Sequence, residues 1–306
     1  RRQRQMCIRD RLAVMLNEEH VRVLDLDRDE RVPRWTLLGE GRAFDLEVTG
    51  STVVFSGVRG VYRARLDEPA PDSPKELAPF VTFDVSEALP DAIQGAVDTV
   101  AISPDGHTGV AAGQFSRAIL FDLRTDPPTE LRRFGDFKVR IKECAFSRDG
   151  ERIVIGSDQV GPSATFELWT KDGQRLVERG GVIGAVKSVA FSPDGSHYVI
   201  GTNHVRSYRV DGLDTVATRP LVGLEDTPLL AFAPAPQRRL YGVMGADASK
   251  VMVWRTDSEP LSEHRQVPRE GSGPMDSIAV SPDGAILAIG GRVNGVAAIE
   301  LYGVGD

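Results

Sequence analysis

The chain has 306 residues, 26% of them charged and 41% hydrophobic, with a formal net charge of −7. That is enough apolar material to bury a large core, and the acidic excess argues against a general nucleic-acid binder, because neutralising phosphates needs a basic surface. No apolar stretch reaches ten residues, where a membrane helix needs about 20, so no membrane insertion is expected.

From the N-terminus, the segment Arg1-Arg2-Gln3-Arg4-Gln5-Met6-Cys7-Ile8-Arg9-Asp10-Arg11 resembles the read-through translation of a sequencing adapter, and it stands outside the fold argument. Residues 12–306 then carry 32 basic and 43 acidic residues. On that reading the chain is a metagenomic fragment. Its natural N-terminus lies upstream, with any signal peptide or further domain. Residues 12–16, 20–26 and 34–38 alternate as three strands of a first unit that lacks a first strand, unless Met6-Cys7-Ile8 pairs beside its exposed edge and stands in for one. Residues 45–48, 52–56 and 60–66 give three strands of a second unit, which runs from about 41 to 84. Its loop, 68–74, is too rich in proline for a strand.

A repeat follows. Val100-Ala101-Ile102-Ser103-Pro104-Asp105-Gly106 recurs as Cys144-Ala145-Phe146-Ser147-Arg148-Asp149-Gly150, as Val189-Ala190-Phe191-Ser192-Pro193-Asp194-Gly195 and as Ile278-Ala279-Val280-Ser281-Pro282-Asp283-Gly284. A worn copy is Leu230-Ala231-Phe232-Ala233-Pro234-Ala235-Pro236. The spacings are 44, 45, 41 and 48 residues. A period of about 40–45 is that of four-stranded propeller blades. Each of the four full copies ends in an Asp-Gly turn, a strong hairpin signal. A second strand of small residues follows, such as Val110-Ala111-Ala112, and meets Gly113, Gly156, Gly201 or Gly290. The third strand carries Phe121, Trp169, Tyr208 or Trp254, a bulky residue suited to wedging between neighbours. The expected fold is all-β, a propeller of about seven four-stranded blades, with the first and last incomplete. Residues 12–306 form one domain.

The Ser-Pro-Asp-Gly turns, with Phe121-Asp122 and Trp169 after them, resemble the WD-repeat (WD40-like) family over roughly residues 12–302. The Gly-His pair of that family is missing from every unit, and Trp169 and Trp254 are followed by Thr170 and Arg255. The resemblance implies a ring-shaped scaffold for protein partners.

The residues point the same way. Cys7 and Cys144 are too far apart in sequence for a metal pattern, and Cys144 reads as a small core residue. His107 and His197 follow Asp-Gly turns and read as solvated. No cofactor, metal or catalytic constellation is expected. Binding residues ride on loops held by a rigid scaffold. In a WD-type ring the second-to-third-strand loops share one face with the connections between blades. Those loops carry Glu19 and His20, Arg59, Phe115 and Arg117, Asp158, Asn203 and His204, Lys250, Arg292 and Asn294. Phe115 is either an interface anchor or a side chain tucked onto its own blade. The expected function is a non-catalytic scaffold for a protein partner, in the cytoplasm. The alternatives are a hydrolase or lactonase-like propeller with a central metal, and a periplasmic propeller subunit.

Overall fold

The computed structural model describes residues 5–8, 11–16, 20–25, 35–39, 43–68, 73–83, 88–89, 96–157, 165–180, 185–202, 205–210, 228–233, 239–244, 250–255, 262–268, 275–281, 283–293 and 296–303. All the regular structure among them is β. Blade 1 holds β1 (Gln5–Ile8), β2 (Arg11–Leu16), β3 (His20–Asp25) and β4 (Trp35–Leu38). Blade 2 holds β5 (Ala43–Thr49), β6 (Thr52–Gly57) and β7 (Gly60–Arg65), and a two-residue strand β8 (Lys75–Glu76) comes after it. Blade 3 is β9 (Val97–Ile102), β10 (Thr108–Gly113), β11 (Ala118–Asp122) and β12 (Thr129–Phe134). Blade 4 is β13 (Ile141–Phe146), β14 (Arg152–Ser157), β15 (Thr165–Thr170) and β16 (Arg175–Gly180). Blade 5 is β17 (Ser188–Phe191), β18 (His197–Gly201) and β19 (Val205–Arg209). Blade 6 is β20 (Pro228–Phe232), β21 (Arg239–Met244), β22 (Lys250–Arg255) and β23 (Ser262–Pro268). Blade 7 is β24 (Met275–Val280), β25 (Ile286–Val293) and β26 (Val296–Gly303).

Each blade is an antiparallel meander. The first strands β1, β5, β9, β13, β17, β20 and β24 touch in that order, and β1 meets β24 to close the ring. A lone meander cannot bury both of its faces, so each blade completes its core against the next. Six apolar clusters fill the six junctions from blade 1 to blade 7. The third-strand wedges behave as their bulk demands. Phe121 packs back against blade 2, Trp169 against blade 3, Tyr208 against blade 4 and Trp254 against blade 5.

Two features complete the account of blades 1 and 2. The segment set apart at the N-terminus is part of the ring: Gln5–Ile8 pairs with β2 and supplies the first strand of blade 1. A short apolar run beside an unpaired inner edge gains a full ladder by docking there, so blade 1 has its four strands. The chain leaving blade 2 also does not simply return along β7. Lys75–Glu76 runs parallel to β4 on the outer edge of blade 1, and Val81 then bridges back to Val61. One strap therefore ties blades 1 and 2 together.

Candidate functional site

The ring has a turn face and a loop face. The turn face carries the first-to-second-strand turns, and four of them repeat one hydrogen-bond pattern. In blade 3, Ser103 Oγ donates to Asp105 Oδ1 (2.5 Å), Thr108 N donates to Ser103 Oγ (3.0 Å) and His107 N donates to Asp105 Oδ1 (2.9 Å). Ser147 with Asp149, Ser192 with Asp194 and Ser281 with Asp283 repeat it. The Ser103 hydroxyl holds the Asp105 carboxyl below its ordinary value. Burial raises that of Asp194, but the Ser192 hydroxyl and the Ser196 N–H and hydroxyl outweigh it and bring the group down to about 2. These aspartates serve their turns. His107 is exposed and pairs with Asp105 at 3.5 Å, while His197 Nδ1 meets Ser196 Oγ at 2.7 Å.

The loop face carries the second-to-third-strand loops and the connections between blades. Arg59, in the tight β6–β7 turn, is exposed, as are Arg117 in the β10–β11 loop and Arg292 near the end of β25. Phe115 requires a correction to the anchor reading. It is fully buried and stacks on Phe83 with ring centroids 4.1 Å apart, in the core between blades 2 and 3. An aromatic ring of that size gains more from the core than from water, so it cannot anchor a partner. His20 opens β3 and Lys250 opens β22, and their side chains lie outside the described residues. Glu19, Asp158, Asn203, His204 and Asn294 lie outside them altogether.

Below the loop-face rim lies a belt of buried polar groups that the repeat motif did not reveal. A β-bulge interrupts the first strand at the same place in blades 2, 3, 4 and 7. The next residue is Asp45, Thr99, Glu143 or Ser277, and Ser188 is its counterpart in blade 5. All five are buried. Asp45 Oδ2 accepts Val100 N (3.0 Å) from the next blade, and Thr99 Oγ1 accepts Cys144 N (3.2 Å) from the blade after that. The side chains thus stitch first strands that share no backbone ladder. Asp98, at the bulge of blade 3, has a fully buried side chain. Arg140 forks onto it, Nε to Oδ2 at 2.7 Å and Nη2 to Oδ1 at 2.5 Å, and Lys142 Nζ lies 3.6 Å away. Two cations offset the cost of burying that carboxylate.

At the axis, the first strands of blades 2 to 7 line a half-open cavity of about 420 Å³, with Glu47, Glu143 and Lys187 among its lining. Leu46, Val100, Cys144, Val189, Leu230 and Ile278 form one layer of its wall. Burial pushes the Cys144 thiol well up, against the lowering effect of the Thr99 hydrogen bond, and the carboxylates of Asp45, Glu143 and Glu47 push it further. A thiol held protonated is a core residue rather than a nucleophile. Among the described residues, no three His, Cys, Asp or Glu side chains converge as metal ligands. No described helix is long and apolar enough to cross a membrane.

No protein-family model matches the chain, and no curated protein matches its sequence. Solved structures do match it. The Cps50 (Swd1) β-propeller domain of Myceliophteria thermophila is 14% identical, with 100% of this chain and 98% of that one covered and a TM-score of 0.73. A chain of the Mitotic Checkpoint Complex is 14% identical, with coverage of 99% and 90% and a TM-score of 0.76. Hydrazine synthase of Kuenenia stuttgartiensis is 15% identical, with coverage of 98% and 95% and a TM-score of 0.74. At such identities the likeness establishes the class: this chain is a β-propeller, here of seven blades. A complex and a synthase share the fold, so function must be argued from the site.

Proposed function

We propose that this chain is a non-catalytic, WD40-like interaction scaffold that receives a protein partner on its loop face. The observation that carries the reading is the contrast between the two faces. On the turn face, the Ser and Asp side chains are used up in their own turns. On the loop face, Arg59, Arg117 and Arg292 are exposed residues on a rigid ring, and arginine is among the residues enriched at interface hot spots. The two WD40-like solved structures support the same reading, because one is a propeller domain and the other is a complex.

The test is a partner captured by the full chain and identified by cross-linking. The triple variant Arg59→Glu, Arg117→Glu, Arg292→Glu should lose it. Arg148→Glu, an exposed arginine in a blade 4 turn on the opposite face, should keep it. Equal capture by both variants would refute the loop-face assignment. The competing reading, a hydrolase with a central metal, would be favoured by a stoichiometric divalent ion in the purified protein together with turnover of a lactone.

A further inference from the structure

Strand register puts the seven first strands on one scale. Leu46, Val100, Cys144, Val189, Leu230 and Ile278 each pair with the fourth residue of their blade's second strand. In blade 1 that place, opposite Val14, belongs to Gln5. Six blades put an apolar residue there, and blade 1 puts a carboxamide. The next residue toward the turn is alanine in blades 3 to 7 and Glu47 in blade 2. In blade 1 it is Met6, opposite Ala13. First strands crowd together at the axis, where a methyl group fits best, so β1 departs from its siblings at two successive positions.

A second, independent observation is a missing hydrogen bond. Asp45 and Thr99 lie one residue before the apolar column, and each accepts the N–H of the column residue in the next blade, Val100 and Cys144. Ser277 holds the same place in blade 7, and the strand that follows it around the ring is β1. Ser277 is 5% exposed, and its hydroxyl has no hydrogen-bond partner. Buried polar groups are rarely left so. The stitch that joins blade 2 to blade 3 and blade 3 to blade 4 is therefore absent between blades 7 and 1. It fails beside the strand whose residues match their columns least. The slot itself admits only an extended chain, because β2 offers it a ladder and β24 and β5 pack on either side.

We propose that the seam between blades 7 and 1 is a strand-acceptor site: an extended segment of a partner protein, with the apolar–alanine–apolar pattern of the sibling strands, replaces β1 beside β2 and gives a backbone N–H to Ser277. In such strand addition the backbone ladder supplies affinity and the alternating side chains supply specificity. The site does not use the loop-face arginines, and either reading can fail without the other.

The probe is a peptide with the sequence of Val97–Ser103 and blocked ends, carrying a photoreactive group, and it is titrated into the full chain. The resident strand competes from a tether, at an effective concentration on the order of 1 mM, so the titration extends beyond that level. The peptide should bind saturably at one site per chain and cross-link to blades 7, 1 or 2, and a scrambled peptide should do neither. Ser277→Ala removes no hydrogen bond from the parent, so it should fold as the parent does by circular dichroism, yet bind the peptide about threefold or more weaker. Gln5→Val gives β1 the residue of its column. It should raise the melting midpoint and also weaken the peptide by about threefold or more. Absence of saturable binding, equal binding of the scrambled peptide, cross-links confined to other blades, or unchanged affinity in folded Ser277→Ala would each overturn the proposal.

Discussion

Replacing Gly106 isolates the energy of a single backbone dihedral. Its φ is +74°, and the equivalent glycines Gly150, Gly195 and Gly284 have φ of +73°, +71° and +73°. The turn is fixed by Gly106 N donating to Ser103 O (2.8 Å) and by the Ser103–Asp105 pair. A Cβ added at Gly106 would meet nothing nearer than Thr49 Cγ2 at 3.5 Å, an ordinary contact, and one added at Gly195 would meet nothing within 4 Å. The cost of substitution is therefore conformational rather than steric. A left-handed conformation costs an L-residue about 1–2 kcal/mol, rising to about 3 kcal/mol for a β-branched side chain. Asparagine tolerates the region better. The expected order of destabilisation at Gly106 is Asn, then Ala at about 1 kcal/mol, then Val at about 2–3 kcal/mol. The chain should still fold, since domain stabilities are about 5–15 kcal/mol. Urea denaturation followed by circular dichroism measures the series, and an unchanged slope would show that the unfolded state is unaffected. Gly195→Val should cost the same as Gly106→Val. A neutral valine at either site, or an asparagine as costly as valine, would refute the argument.

Three further outcomes follow from the same structure. Trp169 is 7% exposed and Trp254 is 2% exposed, so in a Trp35→Phe background acrylamide should quench the fluorescence only weakly; strong quenching would mean that one of the third strands faces the other way. The carboxyls of Asp105, Asp149 and Asp194 lie below their ordinary value in the folded chain, so their stabilisation is complete above the unfolded value near pH 4 and is lost as pH falls through the folded one, about 2 for Asp194. Melting curves between these limits should fall less steeply for Ser192→Ala than for the parent, and parallel curves would contradict the assignment. Asp45→Ala leaves the N–H groups of Leu46 and Val100 without their acceptor and should cost about 2–4 kcal/mol in urea unfolding, with Asp45→Asn costing less; an alanine variant as stable as the parent would show that the belt between blades contributes nothing.

The sequence determined the architecture because the propeller writes its period into the chain. Blades 3, 4, 5 and 7 make the same turn, so Ser-Pro-Asp-Gly or its Ser-Arg-Asp-Gly variant returns at regular spacing, and blades 3 to 6 wedge back against their neighbours, so Phe121, Trp169, Tyr208 and Trp254 fall at matching positions. Strand alternation and turn chemistry are local, and they can be read without knowing what lies across the ring. The belt and the cavity were harder to see. Counting back from each turn serine shows Thr99, Glu143, Ser188 and Ser277 in one column and the alanines in the next. Asp45 and Glu47 join those columns only once the pairing of β5 with β6 places Thr49 opposite Thr52, because the turn of blade 2 lacks the motif. Tertiary structure alone decided three matters. Phe115 lies in a loop that reads as surface, but Phe83, 32 residues earlier in the chain, stacks on it and buries it. Gln5–Ile8 carries no propeller signature, yet closure of the ring requires a strand between β24 and β5, and an unpaired edge accepts whatever extended segment can reach it. Asp98 meets Arg140 because neighbouring blades bring together residues 42 apart; a local pattern cannot encode a contact whose partner is supplied by the next turn of the ring.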